Sequence, residues 1–157
     1  MKYFKLVVLL LVGCLVGLLS SGPAHAAYLP SSCQGYSGKM ICASKAQGRV
    51  MLVRSGRLVK SSKARFGGKA SDGSGPWFTR EGAHMVGYKQ YNPVSTLYGV
   101  NMPFFVQFSG GQGIHYSSEF ASGYPYSHGC IGLKRYKFAE RLYNFAYPGM
   151  TVVVTGG

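Results

Sequence analysis

Glycine sets the terms for this chain. Twenty-three glycines cut it into short apolar runs, and each one costs about 1 kcal/mol in a helix interior relative to alanine. Twelve tyrosines and nine phenylalanines favour strands instead. Residues 40–43 read as a first strand, and residues 49–54 and 57–60 flank a two-residue turn at Ser55-Gly56. Residues 61–66 continue the second arm, and Gly67-Gly68 ends it. Further strands are expected at 83–90, 104–108 and 151–154, with a short apolar segment at 113–116 and a loop at 69–76. Only 136–146 has helical spacing, with Phe138, Leu142 and Phe145 on one face and Pro148-Gly149 as the stop. The expectation is one mostly-β domain, a sandwich or open barrel with one late α-helix. With 46% hydrophobic and 13% charged residues, the chain is neither disordered nor a coiled coil.

Residues 1–26 have the layout of a secretory leader. Lys2 and Lys5 precede an apolar run over 6–19, and Ala24-His25-Ala26 is a small-x-small cleavage site. The run contains Gly13 and Gly17 and is short for a membrane span, which needs about 20 residues. An uncleaved anchor is one competing reading. Lipidation at Cys14, after Leu11-Val12-Gly13, is another, but it would leave Leu15-Val16-Gly17-Leu18-Leu19 bare at the mature start. Cleavage after Ala26 and export to the periplasm or cell envelope is the reading adopted. Loss of Lys2 and Lys5 leaves fifteen basic residues against four acidic ones, a net charge of +11. No nucleic-acid-binding motif accompanies that charge, so the expected partner is the anionic cell envelope rather than nucleic acid. Nothing in the sequence sets an oligomeric state.

Three cysteines remain after cleavage. Outside the cytoplasm thiols tend to pair, and Cys33 and Cys42 are separated by a flexible stretch that can close a small disulfide loop. Cys130 is then left over, as a reactive thiol or a buried inert one. Its neighbours favour reactivity. His115 lies upstream, and Ser127-His128-Gly129 leads directly into Cys130. A thiol nucleophile needs a base or cationic partner and backbone N–H groups aimed at the developing oxyanion. Gly129 removes a side chain from the path of an incoming carbonyl. These residue types suit acyl transfer through a thioester, and a proteolytic Cys-His pair fits them too. Zinc held by His115, His128 and Cys130 is disfavoured, since the spacing lacks a close ligand pair. No metal or cofactor is expected. His84 has no motif around it and reads as structural.

Ile114-His115 followed by Ser127-His128-Gly129-Cys130-Ile131 resembles the signature of the L,D-transpeptidase (YkuD-type) catalytic domain. Thr79-Arg80-Glu81-Gly82 is similar to the family's T-P-x-G segment, and Met102-Pro103-Phe104-Phe105 to the segment preceding its I-H. The resemblance divides the chain into the leader (1–26), a short N-terminal segment (27–40) and a catalytic domain (41–157). It implies Cys130 as nucleophile, His115 as general base, and the Tyr116 carbonyl as the group that orients the imidazole. Backbone N–H groups around Gly129 and Cys130 would form the oxyanion hole, with Ser127 and His128 lining the site. The implied substrate is a peptidoglycan stem peptide. Cys130 would attack the carbonyl of its third residue, release the terminal D-Ala, and pass the acyl group to an amine of another stem.

Two departures stand out. The family usually carries Arg or Asn two residues after the nucleophile, where this chain has Gly132, so a donor is missing there, although Lys134 or Arg135 could reach in. Arg80 replaces the proline of T-P-x-G. An L,D-carboxypeptidase, with water replacing the amine, and a degenerate peptidoglycan binder are the alternatives.

Overall fold

In the computed structural model, residues 27–68, 75–120 and 127–156 are described. The expected leader, most of the 69–76 loop and residues 121–126 lie outside them. The strands are β1 (Lys39–Ser44), β2 (Arg49–Arg54), β3 (Arg57–Arg65), β4 (Gly82–Met85), β5 (Lys89–Gln90), β6 (Phe105–Ser109), β7 (Gln112–Tyr116), β8 (Ile131–Leu133) and β9 (Thr151–Thr155). The helix α1 (Tyr136–Phe145) lies between the last two. They form one sheet in the order β4-β9-β1-β2-β3-β8-β7-β6-β5, curled into a half-barrel. The mostly-β architecture with a single late helix is therefore the one the sequence leads to.

The β2–β3 hairpin follows from its turn. Ser55 and Gly56 both have positive φ, 48° and 70°, the geometry that matches the twist of the flanking strands. One expectation fails. Residues 83–90 do not form one strand but split into β4, which pairs with β9, and β5, which pairs with β6. The physical reason lies at 86–87. The N–H of Val86 donates to the Met150 carbonyl (2.8 Å) and that of Gly87 to the Gln107 carbonyl (3.1 Å). The chain there crosses from one edge of the sheet to the other. Four residues of chain reach at most about 14 Å, so the two edges must curl toward each other.

Alternation divides the sheet into two faces. One face packs Ile41, Ala43, Val50, Leu52, Ile114, Ile131 and Leu133 against Phe138, Ala139 and Leu142 of α1. Burying Phe138 and Leu142 contributes roughly 1.5–3 kcal/mol each. Phe145, expected on the same stripe, is only partly buried, and its ring lies 5.2 Å from Lys39 Nζ. The opposite face carries a smaller cluster of Met40, Cys42, Met51, Val53 and Val153 under Cys33. Cys33 and Cys42 are joined as a disulfide. Farther along this face stand His115 and Cys130.

Candidate active site

Strands β7 and β8 run parallel, with Ile114 opposite Ile131 and His115 opposite Gly132. Ile114 and Ile131 are fully buried in the core. Their neighbours in sequence, Gly113, His115, Cys130 and Gly132, therefore face the other way. That makes His115 and Cys130 diagonal neighbours on one face. The N–H of Gly113 donates to Cys130 Sγ (3.4 Å), and Sγ lies 3.9 Å from the Gly111 carbonyl.

His115 is 7% exposed. Its Nδ1 is 2.6 Å from the Tyr116 carbonyl. A carbonyl only accepts, so Nδ1 carries the proton and Nε2 keeps its lone pair. The Phe105 ring lies over Gly113, where no side chain could stand, with its centroid 6.3 Å from that of His115. Burial of this kind lowers the His115 pKa from 6.5 to about 4, with the Tyr116 bond opposing and Arg65 adding to the fall. Burial also pushes the Cys130 thiol up, partly offset by the Gly113 N–H. Both shifts favour the neutral forms, thiol and imidazole.

The turn carrying Cys130 is held from several sides. The Ser127 hydroxyl donates to the Cys130 carbonyl, and the Gly129 N–H donates to Ser127 Oγ (3.2 Å). That Gly129 amide, expected to face an oxyanion, is thus engaged by Ser127. Gly129 has φ 107° and packs against Gln112, whose amide also bonds Arg80 N and the Phe78 carbonyl. Thr79, buried to 1% exposure, accepts from Gly67 N–H (2.8 Å) and donates to the Gly129 carbonyl (2.9 Å). His128 is exposed, stacked on Tyr98 at 4.0 Å and edge-on to Trp77 at 4.5 Å. His84 stands apart, against Phe108 and the Arg80 carbonyl.

The gap at Gly132 is filled from an unexpected direction. Arg65 of β3 is opposite Gly132, and a Cβ on Gly132 would lie 2.9 Å from Arg65 Nε and 3.0 Å from its Cγ. The guanidinium crosses β8 to Ser117 Oγ (2.7 Å) and Glu119 Oε2 (2.6 Å). Neither Lys134 nor Arg135 does this; Lys134 Nζ lies over the Phe120 ring at 5.7 Å, and Arg135 precedes α1. Ser117 in turn donates its N–H to the Leu133 carbonyl (3.1 Å). The peptide plane bearing the Tyr116 carbonyl is thereby fixed.

Residues 38–154 match the family model of the YkuD L,D-transpeptidase catalytic domain. The chain belongs to this family. The search of curated proteins found no match. Among solved structures, the L,D-transpeptidase from Stackebrandtia nassauensis is 26% identical with a TM-score of 0.66, covering 79% of this chain and 58% of its own. The L,D-transpeptidase from Xylanimonas cellulosilytica is 24% identical (TM-score 0.70; 83% and 65% covered), and that from Mycobacterium smegmatis 18% (0.65; 76% and 59%). The last two share the fold. The chain thus spans 58–65% of the length of these family structures.

Cys130 and His115 were legible as candidate site residues from residue types and spacing, and Tyr116 only through what the family resemblance implies. Phe105 was marked only as part of the Met102–Phe105 segment. Arg65 and Gln112 were not marked; their only signal is register, since Arg65 reaches Ser117 across 52 positions of sequence.

Proposed function

We propose that this chain is an exported cysteine acyltransferase of the L,D-transpeptidase type, acting on peptidoglycan stem peptides. The observation that carries the reading is the orientation of His115, whose Nδ1 is tied to the Tyr116 carbonyl, leaving Nε2 for the face shared with Cys130. As Cys130 Sγ attacks the carbonyl of the third stem residue, its proton passes to Nε2. The S–C bond forms and the carbonyl oxygen becomes an oxyanion beside the Cys130 backbone amide. The C–N bond to D-Ala breaks, and the proton leaves with the D-Ala amine. A side-chain amine of a second stem attacks the thioester and gives a proton to His115. The thiolate departs and is reprotonated.

The neutral resting pair suits this scheme, because the proton is transferred only as attack proceeds. Export is supported by the leader-like first 26 residues and by the Cys33–Cys42 disulfide, a bond typical of oxidising compartments. The test incubates the mature protein with defined muropeptides and reads mass spectra for loss of D-Ala and for dimers. Loss of D-Ala with dimer formation, abolished in Cys130→Ala, is the expected result. Loss without dimers indicates the carboxypeptidase. No turnover, together with no covalent adduct from a carbapenem, overturns the enzyme reading in favour of a binder.

A further inference from the structure

The proposed chemistry leaves a second feature of the active-site face unused. Next to Arg65, a cavity of about 260 Å³ is lined by Arg49, Ser61, Ser62, Lys63, Lys134 and Arg135. Arg49 is opposite Lys63 on the β2–β3 pair, and the Lys134 N–H donates to the Lys63 carbonyl (3.3 Å). Lys63 and Arg65 are two residues apart on β3, with buried Ala64 between them facing the core. They therefore share the face that bears His115 and Cys130.

Four cationic residues surround this cavity, and among the described residues no carboxylate lines it. The chain has only four acidic residues. Glu81 pairs with Lys45, Glu119 with Arg65 and Glu140 with Lys137; Asp72 lies outside the described residues. The first turn of α1, which follows Arg135, holds no acid either. Like charges gathered without a counter-charge repel, and an anion entering the cavity relieves them.

Position says which anion. Cys130 and Lys134 are four residues apart on the stretch that includes β8, about 13 Å at strand rise. With the third residue's carbonyl at Cys130, the three stem residues up to that point extend about 10 Å, and the lysine side chains of the cavity reach across the rest. We propose that the cavity is a carboxylate subsite, which holds free carboxylates of the peptide reacting at Cys130. This rests on the peptide-substrate reading above and adds the place where the peptide's charge is recognised.

The experiment measures binding to the Cys130→Ala protein at low salt. The probes are an acidic tetrapeptide stem, its fully amidated analogue and inorganic polyphosphate. The cavity variant is Lys63→Gln/Arg135→Gln; the control, Arg57→Gln/Lys60→Gln, removes the same charge elsewhere on β3. The cavity variant is expected to weaken the acidic peptide about tenfold, as two partly screened ion contacts are lost, with no change for the amidated peptide or in the control. Equal weakening in both variants, or none in the cavity variant, overturns the subsite. Sensitivity confined to polyphosphate also overturns it, in favour of a phosphate-polymer site. Carbapenem acylation of Cys130 in the otherwise native protein reports separately on the chemistry, so the two readings fail independently.

Discussion

Replacing His115 by Gln should remove a specific acid sensitivity from the fold. The imidazole is buried beneath Phe105, and that burial lowers its pKa from 6.5 to about 4. In the unfolded chain the same group takes up a proton as the pH falls through 6.5; in the native state it resists until about 4. Proton uptake by the unfolded state favours unfolding. Stability fully present above the unfolded value is therefore lost as the pH falls toward the folded one. Linkage puts the loss at about 2 kcal/mol at pH 5 and about 3 kcal/mol once the native imidazole also titrates. With only four carboxylates in the chain, the usual acid background is thin. Gln is uncharged and has no proton to take up over this range. Urea unfolding at pH 7 and pH 5 should show wild type losing about 2 kcal/mol more than His115→Gln over that interval. Equal losses in the two proteins would refute the account of a buried, neutral His115. The same asymmetry keeps Nε2 unprotonated at neutral pH.

Four further outcomes are expected. Cys33→Ser/Cys42→Ser should lower stability by about 2–3 kcal/mol, from the loop entropy of so short a ring, with no change in the rate of Cys130 alkylation by iodoacetamide. Thr79→Val strands the Gly67 N–H and the Gly129 carbonyl; it should cost about 1–3 kcal/mol in thermal unfolding and slow Cys130 alkylation. Arg65→Met leaves Glu119 near the imidazole without the opposing cation, so an NMR titration of His115 should show its pKa moved upward; an unmoved value counts against Arg65 as a site residue. His128→Ala removes a ring held outside the turn between Tyr98 and Trp77. It should leave the pH profile of alkylation in place, whereas His115→Ala should lower the rate about 10²–10⁴-fold.

Local rules made most of the sheet readable. Ser55-Gly56 demands its hairpin, the valines of 152–154 demand burial, and the spacing of Phe138 and Leu142 demands a helix face. Strand β8 escaped because three residues with a glycine at the centre carry no period; it exists only because β3 and β7 flank it. The split of 83–90 escaped for a similar reason, since Val86 and Gly87 take partners from Met150 and Gln107. Within the site, the Cys130 turn is local and could be read. Arg65 could not, because its place depends on which strand lies beside Gly132, and pairing across distant sequence leaves no local trace. The expectation that Lys134 or Arg135 could reach in for the absent side chain failed on that point.

The position of β9 has a consequence for assembly. It lies between β1 and β4, parallel to one and antiparallel to the other. The β1–β2–β3 meander can form as soon as it is synthesised, but β4 has no other strand to join. Until residues 151–155 arrive, β1 presents an open edge bearing Met40, Ile41 and Cys42, the kind of edge that recruits foreign strands. Closure is therefore among the last events in folding, and a slow one, because it joins segments more than a hundred positions apart. A nascent chain of this design needs protection along β1 until its final strand is available.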